Sequence, residues 1–295
     1  MNLSLSRSFP IAKAALAAAV IACTFALACS LTGCASGGTD SSSADADNTS
    51  ASTDGKTLRV AMELAYPPFE TKDDAGNPEG LAVDFIRDFG AAYGYDVQIE
   101  NTAWDGLIPS LQSDKADLVI SSMTITDERK QSVDFSDAYA MAQLAILANA
   151  NSGVASIDDL NQPGKKVAVK TGSTGDVYAT KNLTNAEIVR LADESACVTE
   201  VVQGKADGFL YDQLTIYRNH EANPDTTEAV FIPFQDAEEW GLAVKKGNTE
   251  LLDQLNAFIA QSKTDGEFDR LTEKYLADEK KAFDQYGFKW FFDFE

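Results

Sequence analysis

The stretch LVISSMTITDERKQSVDFSDAY (residues 118–139) joins a strand pattern, a polar loop and a helix start. The apolar run at 118–120 predicts a buried strand. A hydroxyl-rich loop at 121–124 follows, and Thr126 or Asp127 then suits the N-cap of a helix. Open α/β sheets bind ligands in loops that leave the carboxyl end of a strand and enter a helix. The stretch therefore predicts a ligand-binding loop in an α/β protein.

Arg129, one turn into this helix, is a candidate for binding an anion. Its planar guanidinium can hold a carboxylate through two hydrogen bonds. The unpaired N–H groups of a helix start also attract negative groups. The residues alone leave an alternative open, in which Arg129 pairs with Asp127, Glu128 or Asp134 on a solvated face.

The segment SSMTITDERKQSVDFSDAY closely resembles the signature of the amino-acid-binding family of extracytoplasmic solute-binding proteins, family 3, which supply ABC importers. The resemblance extends from about Lys56 to Tyr275, and it is closest to the glutamine-binding members. It implies a periplasmic-binding-protein type II fold. It also implies that Ser122, Thr124 and Arg129 hold the α-carboxylate and α-amino group of a free amino acid.

Strands that alternate with helices predict parallel sheets covered on both faces. Two extended stretches, 139–148 and 240–244, are predicted to cross between two such sheets. The fold class is therefore α/β with two lobes, each a mainly parallel sheet flanked by helices, and a double crossover hinge. Lobe 1 is predicted from residues 57–142 plus 241–295, and lobe 2 from 143–240. The predicted strands include 58–62, 118–120, 166–170, 187–191, 208–211 and 229–234.

The amino terminus has the pattern of a lipoprotein signal peptide, predicted at residues 1–33. Two basic residues flank a short apolar run at 14–28, and Leu-Thr-Gly-Cys at 31–34 matches the lipobox. Cleavage before Cys34 and lipidation of its thiol are therefore expected, with an uncleaved anchor helix as the alternative. Residues 34–56, rich in Ser, Ala, Asp and Gly, are predicted to be a flexible linker. The expected location is the extracytoplasmic face of the cell membrane.

Composition excludes several other classes of function. The net charge is −22, from 46 acidic and 24 basic residues, which argues against nucleic acid and against docking to anionic lipid. Beyond Cys34, Cys197 is the only thiol, so no intramolecular disulfide is expected, and its apolar neighbours predict an inert, buried side chain. His220 is the only histidine and has no Cys or His neighbour, so neither a metal nor a cofactor is expected.

Two further segments supply candidate ligand groups. Residues 170–175 (KTGSTG) follow a strand and precede a helix, which offers a second anion-binding helix start or an ordinary tight turn. The resemblance implies that Thr174 completes the carboxylate site. Asp212 suits an N-cap, and the resemblance implies that it also pairs with the α-ammonium group. Arg129 and Asp212 would then satisfy both charges of a zwitterion.

The remaining candidates concern specificity, and the resemblance carries them. Tyr66 and Trp104 would form apolar walls around the ligand side chain. Glu63 and Lys170 align with positions that reach the distal group of the ligand. A neutral amide satisfies an acid and an amine together, so glutamine is the first choice, and arginine or lysine is the second. An ion pair between Glu63 and Lys170 is the alternative.

The sequence therefore predicts a monomeric, lipid-anchored receptor that closes over a polar amino acid and delivers it to an ABC permease. One alternative is a cyclohexadienyl dehydratase-like enzyme on the same fold, for which Glu63 is the candidate general acid or base. Another is a sensory lipoprotein that binds a partner. The aromatic tail at 286–295 is predicted to pack on lobe 1, with a docking patch for the importer as its alternative.

Overall fold

The computed structural model describes residues 56–286 and 289–294. The predicted signal peptide, the lipidation site Cys34 and the linker up to residue 55 lie outside the described residues. Among the residues that are described, no helix combines the length and the apolar character needed to cross a bilayer.

Short strands and helices alternate along the chain, as the sequence pattern predicts. The strands are β1 Lys56–Met62, β2 Thr71–Lys72, β3 Pro78–Glu79, β4 Tyr95–Asn101, β5 Leu118–Val119, β6 Val133–Phe135, β7 Ala140–Ala142, β8 Leu144–Asn149, β9 Lys166–Lys170, β10 Glu187–Leu191, β11 Gly208–Asp212, β12 Thr227–Val230, β13 Glu238–Trp240 and β14 Ala243–Lys245. The helices are α1 Leu81–Tyr93, α2 Leu107–Gln112, α3 Asp127–Lys130, α4 Ile157–Leu160, α5 Thr174–Asn182, α6 Glu194–Val202, α7 Gln213–Ala222, α8 Thr249–Ser262, α9 Glu267–Tyr275 and α10 Ala277–Tyr286, with a 3₁₀ turn at Trp104–Gly106.

The described residues form two five-stranded sheets with the same plan. The first has the order β4-β1-β5-β14-β6, and the second has the order β10-β9-β11-β8-β12. In each sheet four strands run in one direction, and the fourth strand in the order is reversed. We call the parts built on these sheets lobe 1 and lobe 2. The predicted α/β fold with two mainly parallel sheets is confirmed.

The chain crosses between the lobes twice, and the two crossings pair with each other. Strands β7 and β13 form a separate antiparallel ladder, with Trp240 opposite Ala140. The reversed strand of each sheet, β8 or β14, follows directly after a crossing. The two crossings therefore form one double-stranded hinge next to the carboxyl end of β5.

Helix α1 contributes several large side chains to the core of lobe 1. Its side chains at helical spacing, Phe85, Ile86 and Phe89 among them, are each at most 1% exposed. Burying a side chain of this size contributes about 2 kcal/mol. The helix ends at Gly94, whose φ of 75° lies in the left-handed region that glycine adopts without strain.

The aromatic tail packs into lobe 1 beneath the hinge. Trp290 and Phe291 are buried, and the Phe291 ring lies 5.5 Å from Trp240 between ring centroids. The carbonyl oxygen of Phe291 accepts a hydrogen bond from the Met141 N–H at 2.7 Å. These two rings therefore pack on lobe 1 and are not exposed as a docking patch. Gly287, Phe288 and Glu295 of the tail lie outside the described residues.

One strand boundary differs from the sequence prediction. The strand expected at 229–234 lies instead at Thr227–Val230 and pairs with β8. Pro233 has no N–H group to donate to a ladder, and Ile232 is 62% exposed. An apolar run next to a proline was therefore wrongly included in the strand.

Candidate functional site

A cleft of about 480 Å³, counted with its open mouth, lies between the lobes. This is within the usual range of about 300–1,000 Å³ for small-molecule sites. Of the residues that the sequence singled out as ligand groups, all except Lys170 line it. These are Glu63, Tyr66, Trp104, Ser122, Thr124, Arg129, Thr174 and Asp212. The remaining lining residues were not singled out from the sequence; they are Glu70, Ser121, Leu144, Ser173, Tyr211, Glu238 and Trp240.

The loop after β5 is held against the second crossing. The Ile125 N–H donates to the Glu239 carbonyl at 2.7 Å, and the Gly241 N–H donates to the Met123 carbonyl at 3.1 Å. Ser122, within this loop, has a φ of 47°, in the left-handed region that few residues other than glycine adopt. Strain of this kind is retained where surrounding contacts fix a functional geometry. The two backbone bonds provide such contacts here.

Arg129 is a half-buried cation that forms no ion pair with a carboxylate in the described part of the chain. Thr126 caps helix α3 by accepting the Arg129 N–H, as predicted. The guanidinium donates to the carbonyls of Thr124 at 2.7 Å and of Gly172 at 3.1 Å, and it stacks over Trp104 at 5.2 Å. Burial lowers the pKa of Arg129, and the guanidinium forms no ion pair with any described residue, including the acidic neighbours that the sequence offered. A buried charge of this kind favours an anion in the cleft.

Asp212 caps helix α7 and also faces the cleft. Its Oδ1 accepts the N–H groups of Leu214 at 2.9 Å and Thr215 at 3.1 Å. The Tyr66 hydroxyl donates to the same oxygen at 2.7 Å, which joins lobe 1 to lobe 2. Burial raises the pKa of Asp212, although these hydrogen bonds act in the opposite direction. The N-cap role is therefore present, and pairing with an ammonium group stays a prediction.

Glu63 and Lys170 form the ion pair that the sequence left open as an alternative. Lys170 is 4% exposed, does not line the cleft, and holds its ammonium 5.1 Å from the Trp104 ring centroid. Its charge is neutralised by Glu63, so it does not act on a ligand as a free cation. The preference for a neutral amide, which required Lys170 to face the ligand as a free amine, therefore loses its basis.

Glu70 is an acidic lining residue that sequence reasoning missed. It is 1% exposed, and the Ser122 hydroxyl donates to its Oε2 at 3.1 Å. In the part of the chain that the structure describes, this carboxylate forms no ion pair. Burial raises the pKa of Glu70 well above its ordinary value. An acid placed directly after the proline-fixed loop ending in Phe69 was the signal available in the sequence.

The start of helix α5 brings lobe 2 to the cleft. Ser173 is its N-cap and accepts the Asp176 N–H at 3.2 Å. Gly175 follows, and a Cβ atom there would lie 2.4 Å from the Leu210 carbonyl oxygen. Only glycine allows this approach, which places Thr174 beside the carboxyl end of β11.

Glu238, at the start of β13, joins both lobes to the hinge. Its Oε2 accepts the hydroxyls of Thr124 at 2.9 Å and Thr174 at 2.7 Å. Its Oε1 accepts the Gln235 amide at 2.7 Å. The sequence placed the second crossing two residues later, at Trp240, so Glu238 was not considered.

Aromatic rings enclose the space between these charged groups. The Tyr66 ring meets Tyr211 at 6.4 Å and Trp240 at 5.9 Å between centroids, both edge to face. Among the described residues, no group of His, Cys, Asp and Glu side chains is arranged to hold a metal ion. In the described structure the cleft thus presents one cation, Arg129, and three acids, Glu70, Asp212 and Glu238, that form no ion pair, inside apolar walls.

Two lobes of this topology, joined by two crossings and with a ligand-sized cleft between them, define the type II periplasmic-binding fold. The sequence profile of the bacterial extracellular solute-binding proteins, family 3, matches residues 58–278. The chain belongs to this family.

Relatives and solved structures agree with this assignment. A probable histidine-binding protein of Neisseria gonorrhoeae is 35% identical over 260 residues, covering 86% of this chain and 94% of its own length. An ancestral arginine-binding protein, solved with arginine and with glutamine, is 36% identical with a TM-score of 0.69, covering 75% of this chain and 98% of its own. An ancestral amino acid-binding protein, a precursor of cyclohexadienyl dehydratase, is 38% identical with a TM-score of 0.68, covering 74% of this chain and 94% of its own.

Proposed function

We propose that this protein is a lipid-tethered receptor that captures a free amino acid in the interlobe cleft and delivers it to an ABC importer. The tether is the lipid expected on Cys34. The family supports an extracytoplasmic binding role, and the named relatives are binding proteins. The protein is expected to act as a monomer.

The observation that carries the proposal is two opposite charges that form no ion pair with any described residue, Arg129 from lobe 1 and Asp212 from lobe 2. A buried charge must be compensated, or its desolvation cost is not recovered. A zwitterion supplies a carboxylate for Arg129 and an ammonium group for Asp212. Because such a ligand bonds both lobes at once, it stabilises the closed state over an open one.

The charge balance of the cleft favours a cationic side chain on this amino acid. Four acids line the cleft, and Lys170 neutralises one of them, Glu63. Arg129 is the only basic residue among the lining residues of the described chain. After a zwitterion is placed, Glu70 still has no ion-pair partner among the described residues. We therefore place arginine, lysine or histidine first and glutamine second, which reverses the order inferred from the sequence.

Support for the enzymatic alternative is weaker. It relied on Glu63 as the general acid or base, and this carboxylate is held in an ion pair with Lys170. The similarity to a precursor of cyclohexadienyl dehydratase concerns an ancestral amino acid-binding protein. Binding, rather than turnover, is the function that this arrangement supports best.

A thermal-shift screen of the mature protein against the twenty amino acids tests the proposal. We expect arginine, lysine or histidine to raise the melting temperature most, because ligand at about a thousand times its Kd stabilises the native state by about 4 kcal/mol. Glutamine should give a smaller shift, and glutamate should give none. If glutamine gave the largest shift, the charge argument would be wrong. If no amino acid shifted the transition, the proposed function would be wrong.

Glu70 should make the binding of a cationic ligand depend on pH. Burial raises the pKa of Glu70 in the free protein, and a cation placed beside it lowers that pKa. Binding of arginine should therefore release a proton, and affinity should rise with pH above the ordinary glutamate range until the raised pKa is passed. Calorimetry in buffers of different ionisation enthalpy measures the released protons.

Glutamine and the Glu70→Gln variant are the controls for this measurement. A neutral amide should release fewer protons than arginine, and Glu70→Gln should remove the difference. The variant should also be more stable at neutral pH, because a raised folded-state pKa costs stability as pH rises through it. Equal proton release for arginine and glutamine in the parent would show that Glu70 does not contact the ligand's charge.

A further inference from the structure

The carboxylate of Glu238 accepts hydrogen bonds from side chains that the proposed function assigns to ligand binding. Its Oε2 accepts hydrogen bonds from Thr124 and Thr174, one from each lobe. These threonines are the two expected beside the ligand's α-carboxylate. The negative charge of Glu238 also stabilises the positive charge of Arg129. The two side chains form no ion pair in the described structure. A side chain of the protein thus takes the place of the anion.

The remaining groups of the cleft then favour a different ligand charge. Because Glu238 partly offsets the charge of Arg129, the other acids of the cleft without an ion-pair partner among the described residues are Asp212 and Glu70. Both acids attract cations, and neither needs a carboxylate in the ligand. A molecule with an ammonium group at one end and a second cation at the other satisfies both.

We propose that Glu238 acts as an internal substitute for the ligand carboxylate, so that the cleft also binds cationic amines that have none. The chemical class is the decarboxylated basic amino acids and short aliphatic diamines. This inference rests on the proposed function, because it uses the same cleft and the same role for Arg129.

Glu238 should therefore act in opposite directions on the two ligand classes. A ligand carboxylate at Arg129 must displace Glu238 or lie beside a like charge, and either event opposes binding. An amine without a carboxylate leaves Glu238 in place and keeps Arg129 compensated. Glu238 thus weakens the binding of amino acids and strengthens the binding of amines.

Two matched ligand pairs test this, arginine with agmatine and lysine with cadaverine, since each pair differs only in the α-carboxylate. Glu238→Gln keeps an oxygen acceptor for the threonine hydroxyls and removes the charge. We expect calorimetry to show agmatine binding to the parent. In Glu238→Gln, we expect about tenfold tighter binding of arginine and about tenfold weaker binding of agmatine, a typical effect of one close charge.

Glu239→Gln is the matched control, because the next residue of the same strand is exposed and does not line the cleft. It should leave the ratio of the two affinities unchanged. If the parent binds arginine or lysine but neither amine, the inference is wrong and the proposed function stands. It is also wrong if Glu238→Gln leaves the affinity ratio as in the parent. If the parent binds neither the amino acids nor the amines, the proposed function itself fails.

Discussion

Arg129→Ala is expected to weaken amino acid binding by roughly a hundredfold to a few thousandfold. The ligand carboxylate would enter a buried site without a cation, which costs about 3–5 kcal/mol. The substitution also removes the hydrogen bond to the Gly172 carbonyl, one of the contacts that joins the lobes. Calorimetry with the best ligand of the amino acid screen measures the loss.

The stability of the ligand-free variant separates lost binding from lost folding. Burial lowers the pKa of Arg129, so the charged side chain is itself costly in the free protein, and Arg129→Ala should melt close to the parent. Arg129→Lys keeps the charge but not the two-pronged geometry, and it should bind about tenfold to a hundredfold more weakly than the parent. Lys130→Ala, an exposed neighbour in α3, is the control and should bind as the parent does. Binding by Arg129→Ala within about threefold of the parent would contradict the assigned site.

Local patterns predicted the secondary structure well, because each element carries its own signal. The strand at 118–119 is an apolar run, Thr126 caps the next helix, and Gly94 ends α1. The same patterns placed Asp212 at a helix start, where the structure has it. Hydrogen bonds over a few residues decide these features, so a single sequence contains enough information to find them.

Contacts between the lobes were harder to predict, because they join residues far apart in the chain. Glu63 and Lys170 are separated by 107 positions, and Thr124 and Glu238 by 114. Whether two such side chains face each other depends on how the lobes close, which no local pattern reports. The resemblance named eight of the fifteen lining residues, from both lobes, but not which of them pair with each other.

The correction to the ligand preference follows from this difference. The choice of glutamine treated Lys170 as a free charge, whereas in the structure Lys170 forms an ion pair with Glu63. Glu70 was not considered from the sequence, and its 1% exposure is a property of the fold that no local pattern reports. Charge balance in a cleft can therefore be judged only after the internal ion pairs are known.

Asp212→Asn should lose most amino acid binding while keeping the fold. Asparagine is as good an N-cap as aspartate, so the bonds to the Leu214 and Thr215 N–H groups can persist. The ligand's ammonium group would lose its only proposed counter-ion, at a cost of about 2–5 kcal/mol. Asp212→Ala removes both functions and should in addition lower the free energy of unfolding by about 1 kcal/mol. Calorimetry and denaturant unfolding of the two variants separate these effects.

The matched control is Asp193→Asn, at the start of α6 in the same lobe, where the side chain makes no capping bond and is exposed. It should bind as the parent does. Nα-acetylarginine, which lacks the ammonium charge, supplies the second half of the test. The parent should strongly prefer arginine over its acetyl derivative. Asp212→Asn should lose most of that preference, because the carboxylate that pairs with the ammonium group is gone. If the variant discriminated between the two ligands as well as the parent does, the ammonium group would have to be recognised elsewhere, and Asp212 would be a helix cap alone.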